Sequence, residues 1–82
     1  MKLNSELQEV VAATLRLPLS DVTAELAAGD VERWDSLGHL NLILAIEGKF
    51  KVKFETEKIA EILTARKIQE QLQSLGAFDG RG

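Results

Sequence analysis

The sequence predicts a small all-α bundle: three longer helices, one short third helix, and a long loop between the first two. Three observations lead there. The chain has 82 residues, enough for one small domain. Its apolar residues recur mostly at spacings of three and four. The one alternating stretch, "KVKFE" at 51–55, has no second strand to pair with, so it reads as an extended loop with Val52 and Phe54 pointing inward.

Residues 3–15, "LNSELQEVVAATL", form the first helix. Leu3, Leu7, Val10, Val11, Thr14 and Leu15 share one face, Asn4 or Ser5 caps the start, and Glu6 and Glu9 suit the positive end of the helix dipole. Pro18 prevents continuation. Residues 16–34 are a long acidic connection. Such a loop is unusual in a small domain unless it is functional or holds a short turn of helix. Leu17, Leu19, Val22, Leu26, Val31 and Trp34 are spaced through it and should pin it to the core, with Trp34 anchoring its end.

Residues 36–50 are the second helix, capped by Asp35 or Ser36. Leu42, Ile43, Ile46 and Phe50 make its core stripe, while Leu37, Leu40, Leu44 and Glu47 make a second stripe. A helix apolar on two sides is either central or has a partner-facing side. In so small a domain the Leu37/Leu44 side should be partly exposed. Thr56 then caps a short helix that turns Ile59, Ile62 and Leu63 inward. Thr64 caps the last helix, with Ile68, Leu72 and Leu75 on one face, and Gly76 stops it. The folded domain is expected over 1–76, with 77–82 as a flexible tail.

Composition narrows the function. There is no cysteine and one histidine, so thiolate chemistry and His-cluster metal sites are excluded; no calcium-loop pattern appears, and no metal ligand is assigned. Net charge is −3 but uneven: residues 1–36 carry 3 basic and 7 acidic groups, and residues 49–82 carry 7 basic and 5 acidic. That balance argues against nucleic acid as a partner. The Lys49, Lys51 and Lys53 cluster reads as a solvated helix end. No apolar run reaches the ~18–20 residues of a membrane span, and no signal-peptide pattern is visible. A cytoplasmic monomer with no membrane partner is expected.

Ser36 and His39 are three apart on a helix, the spacing of a possible nucleophile–base pair. Nothing marks a third group or an oxyanion hole, so no catalytic residue is assigned and His39 is expected to face solvent. Gly38 reads as a tolerated first-turn residue that removes bulk beside the Ser36 hydroxyl. A helix start offers free N–H groups and partial positive charge, which favour an anion such as a phosphate on Ser36, although Asp35 adds a negative charge beside it. A divalent cation or a basic enzyme surface could bridge the two.

The stretch "DSLGHLNLILAIEGKF" from Asp35 to Phe50 resembles the acyl carrier protein family, and the order and length of the helices extend the resemblance over nearly the whole chain. The family's mark is Asp-Ser-Leu at the start of the second helix. The resemblance implies that Ser36 carries 4'-phosphopantetheine, attached from coenzyme A by a phosphopantetheinyl transferase. It implies that the arm's thiol holds acyl groups as thioesters for acyl-loading and acyl-using enzymes, and that the chain itself is not an enzyme. Asp35, Leu37, Leu44 and Glu47 match partner-contact positions. Ile43, Ile46, Phe54, Ile59 and Ile62 match the cleft between second and third helices where some carriers shelter an acyl chain. Gly38, Asn41, Gly48 and Lys49 stand where the family commonly has acidic residues, so steering toward basic partners should be weaker. This points to a specialised carrier of polyketide or other secondary assembly rather than the housekeeping carrier of fatty acid synthesis. The competing expectation is a small interaction module that binds one partner through the Leu37/Leu44 face, with Ser36 only a helix cap.

Overall fold

The computed structural model describes residues 2–78. Four α-helices follow one another: α1 (Ser5–Leu15), α2 (Ser36–Phe50), α3 (Thr56–Ile59) and α4 (Ala65–Ser74). A single 3-10 turn, Leu19–Asp21, interrupts the loop after α1. No strand is present among the described residues; the only ladder element there is an isolated antiparallel bridge between Ala27 and Thr64. Residues 52–55 belong to neither helix nor strand, with Val52 half-buried, Phe54 buried and Glu55 extended.

Each long helix begins on a side-chain cap. Asn4 Oδ1 accepts from the Leu7 N–H at 3.0 Å, and Thr64 Oγ1 accepts from Lys67 N–H at 3.1 Å. Such caps satisfy amides that have no partner inside the helix. α1 and α2 both end on a non-glycine residue in the left-handed region, Arg16 (φ 58°) and Lys51 (φ 56°). α4 ends ahead of Gly76 (φ 76°), where Ala77 N–H donates to Leu72 O at 2.9 Å. Glycine takes that conformation without the steric cost of a Cβ.

The core is aliphatic around one tryptophan. Its largest fully buried side chains are Leu7, Val11 and Leu15 of α1, Trp34 of the loop, Leu42, Ile43 and Ile46 of α2, and Ile68 and Leu72 of α4. A Cα radius of gyration of 11.5 Å is close to the ~12 Å expected for a single packed body of this length. Buried Gln69 fastens the N-terminus: its Oε1 accepts from the Asn4 N–H and its Nε2 donates to Lys2 O at 3.2 Å. Apolar spacing alone marks this face of α4 as Ile68, Leu72 and Leu75, and gives no sign of the buried amide.

The long loop is pinned. Val22, Ala24 and Trp34 are buried, and Leu17, Leu26 and Val31 are half-buried against the core; Leu19 alone of the spaced apolar residues is exposed. Its backbone is bonded as well: Ala28 N–H donates to Leu63 O at 2.8 Å, and Ala65 and Arg66 N–H groups donate to Leu26 O and Ala24 O. Gln8 Nε2 reaches Leu19 O at 2.9 Å from α1.

Four local expectations change. Thr56 is the first residue of α3 and not its cap; Glu55 precedes it without a side-chain cap bond. α3 stops at Ile59 because the backbone at 63–66 is taken up by the loop at 24–28 and leaves the helix to meet it. Leu63 and Leu75 are exposed rather than inward. The end of α4 is instead covered by Ala77 and Phe78, two residues expected in the flexible tail. Both pack on the core, Phe78 edge-on against Phe50 with ring centroids 5.5 Å apart. Residues 79–82 of that tail lie outside the described residues.

Candidate functional site at the start of α2

The entry to α2 is closely constrained backbone. Asp35 is extended, and its Oδ1 accepts from the Gly38 N–H at 2.7 Å. The cap is therefore Asp35. Ser36 is the first helical residue, is exposed, and its hydroxyl makes no hydrogen bond among the described residues. Of the two cap candidates, Asp35 and Ser36, Asp35 fills the role.

Gly38 is required rather than tolerated. A Cβ built there would overlap the carbonyl oxygen of Arg33 and lie 2.9 Å from its carbonyl carbon, with an Asp35 carboxylate oxygen at 3.1 Å. The loop closes directly onto the helix, and only a residue without a side chain admits it. Gly48, further along α2, meets nothing within 4 Å and has no such role.

His39 does not face solvent; it is buried. Trp34 Nε1–H donates to its Nδ1 at 2.9 Å, and its Nε2 lies 2.8 Å from Ile59 O. An indole N–H can only donate, so Nδ1 is the acceptor and Nε2 carries the proton given to Ile59 O. The two rings are nearly coplanar (18°) and meet edge to edge across this bond, with centroids 6.1 Å apart. His39 thus joins the loop, α2 and α3. With both ring nitrogens engaged in structural bonds, it is not free to serve as a base for Ser36. A signal was present in the sequence: 39, 42, 43, 46 and 50 form one helical stripe, and His39 heads the core face.

The second stripe of α2 is exposed. Leu37, Leu40 and Leu44 retain 68%, 53% and 64% of their accessibility, far above core residues. Glu47, at the end of that stripe, is half-buried, and its Oε2 accepts the Phe54 N–H at 2.9 Å. It fixes the turn after α2, so one carboxylate oxygen is already occupied.

The residues matched to an acyl cleft belong to the core. Ile43, Ile46, Phe54 and Ile62 are buried at 6% accessibility or less, and Ile59 is half-buried beside them. Open space lies on the other side of α2. A groove of about 390 Å³ runs between Thr14 of α1, Glu32 and Arg33 of the loop, and Leu37, Gly38 and Asn41 of α2. Asp35 and Leu37, the chain neighbours of Ser36, both line it.

Among the described residues, no three His, Asp or Glu side chains are placed to share a metal ion. None of their helices is long and apolar enough to cross a membrane. No family model matches the chain, and no curated protein matches its sequence.

Proposed function

We propose that this chain is a carrier protein of the acyl carrier type, with Ser36 as the attachment point of 4'-phosphopantetheine. One observation carries the reading: Ser36 is exposed and its hydroxyl unengaged at a rigid helix start whose capping is done by Asp35. The surroundings fit the group. The side chain of Ser36 projects from the first turn, where helical N–H groups and the dipole favour the negative charge of a phosphodiester.

In the transfer, the Ser36 Oγ–phosphorus bond forms as the pyrophosphate of coenzyme A breaks. Adenosine 3',5'-bisphosphate leaves, and the serine proton passes to the transferase. No buried base of this chain takes part, since both nitrogens of His39 are committed elsewhere. When attached, the arm supplies a thiol that carries acyl groups as thioesters. Leu37, Leu40 and Leu44 then provide an apolar strip beside the attachment point, on which loading and acyl-using enzymes read the carrier. Asp35 contributes charge at the same place, whereas Glu47 contributes only through the oxygen not bonded to Phe54. With few carboxylates on α2, the partners are read by apolar contact more than by charge, which suits a specialised biosynthetic system.

The test is intact-mass analysis after incubation with coenzyme A and broad-specificity transferases. The expected result is a gain of one phosphopantetheine that vanishes in Ser36→Ala. No gain with any of several transferases sinks the proposal. The exposed strip also favours an interaction module without the arm. That reading requires Leu44→Arg to abolish partner binding while Ser36→Ala leaves that binding intact.

A further inference from the structure

Two sides of α2 are available to an arm rooted at Ser36, and they differ in kind. The side facing α3 is closed. Ile43, Ile46 and Ile62 are packed at 5% accessibility or less, and His39 is bonded to the Ile59 carbonyl across the gap. A chain entering there must displace close-packed side chains and break a buried hydrogen bond, both unfavourable. The side facing α1 and the loop is open and polar. Its groove holds the Thr14 hydroxyl, the Asn41 amide and the oppositely charged Glu32 and Arg33. At about 390 Å³ it lies at the small end of the ~300–1,000 Å³ typical of ligand sites.

We propose that the pantetheine arm on Ser36 lies back in this polar groove between α1, the loop and α2, and not between α2 and α3. The inference rests on Ser36 being the attachment point. The arm's amides and hydroxyls are matched by the donors and acceptors of Thr14, Glu32, Arg33 and Asn41, while Leu37 offers an apolar edge for its gem-dimethyl group. Besides Leu37, the one apolar side chain lining the groove is Leu15, which retains 1% of its accessibility and offers little surface to an alkyl chain. The thioester therefore stays at its mouth, and the cargo class it suits is a short or polar acyl group rather than a long alkyl chain.

The test uses the whole chain labelled with carbon-13 and nitrogen-15, loaded with an unlabelled arm by a transferase and checked by intact mass. Isotope-filtered nuclear Overhauser spectra then report which side chains the arm touches. Contacts from the gem-dimethyl and methylene protons to Thr14, Leu37 and Asn41 are expected. They should vanish in Thr14→Val/Asn41→Ala, whose amide spectrum and loading remain those of the parent. Contacts to Ile43, Ile46 or Ile62 instead, or a loaded protein with no arm contacts at all, would overturn the groove assignment alone. Failure to load would overturn the carrier reading and the groove assignment together.

Discussion

Replacing His39 by phenylalanine tests whether its two hydrogen bonds hold the loop, α2 and α3 together. Phenylalanine keeps a flat apolar ring but offers neither an acceptor nor a donor. Trp34 is fully buried, so its indole N–H loses its only protein partner with no route to water. An unsatisfied buried donor costs about 1–3 kcal/mol. The Ile59 carbonyl sits on a half-buried residue and regains part of its bond from solvent, so its share is about 0.5–1 kcal/mol. The combined loss is about 1.5–4 kcal/mol. At roughly 4–8 °C per kcal/mol for a domain of this size, the thermal midpoint falls by about 6–32 °C.

Urea unfolding followed by circular dichroism and by the fluorescence of Trp34 measures this directly. His39→Asn retains an acceptor near the Nδ1 position and should lose only the Ile59 bond. His39→Gln retains a donor near the Nε2 position and should lose mainly the Trp34 bond, the costlier of the two. The expected order of stability is parent, Asn, Gln, Phe. A phenylalanine variant within about 0.5 kcal/mol of the parent, the range of an ordinary surface substitution, would refute the reasoning and return His39 to the status of a dispensable residue.

Four further outcomes follow from the geometry. Gly38→Ala should destabilise by more than about 1 kcal/mol by driving a methyl into the Arg33 carbonyl, whereas Gly48→Ala should stabilise by about 0.5–1 kcal/mol; chemical denaturation of the pair decides, and equal effects would contradict the close approach. Asp35→Ala should cost about 0.5–2 kcal/mol through the lost cap, while Ser36→Ala should shift stability by no more than about 0.5 kcal/mol, read from the same denaturation curves. Glu47→Ala should cost about 1–2 kcal/mol and speed amide exchange at Phe54, seen by hydrogen-exchange spectra. Phe50→Ala should cost less than the ~3–5 kcal/mol of a fully buried ring, because Phe50 is half-buried and its edge-on partner Phe78 is too; thermal unfolding measures the loss.

The helices were legible because their signals are local. Periodicity, Asn4 and Thr64 as caps, Pro18 and Gly76 as stops all act within a few residues of where they stand. So was the exposure of Leu37 and Leu44, since a helix apolar on two sides must leave one uncovered in a domain this small. What escaped depends on contacts between distant segments. The early end of α3 is set by backbone bonds between residues 24–28 and residues 63–66, which no spacing rule records. Gln69 and His39 are only half legible, for the same reason. Each lies on a core stripe, at 65, 68, 69, 72 and at 39, 42, 43, 46, but a polar residue there is credible only once its partners are known.

The entry to α2 shows how capping and exposure are divided among neighbouring residues. From Arg33 to His39, five residues serve the fold. The Arg33 carbonyl meets Gly38, Trp34 fills the core, Asp35 caps, Gly38 admits the loop, and His39 bonds both ways. Ser36 and Leu37 have no such part and point outward. A capped helix start commonly leaves its first side chains outward, so this division alone does not require a function. Under the proposed carrier role, the Asp35 cap and the Gly38 contact hold the backbone from which the Ser36 hydroxyl is offered, with Leu37 beside it as a contact for whatever approaches. Because stability rests on the five and not on the two, Ser36→Ala and Leu37→Ala are separable probes. Both should fold like the parent, as measured by amide spectra, and any function they lose is lost at the surface. A global change in the amide spectrum of Ser36→Ala would contradict that division and tie Ser36 to the fold after all.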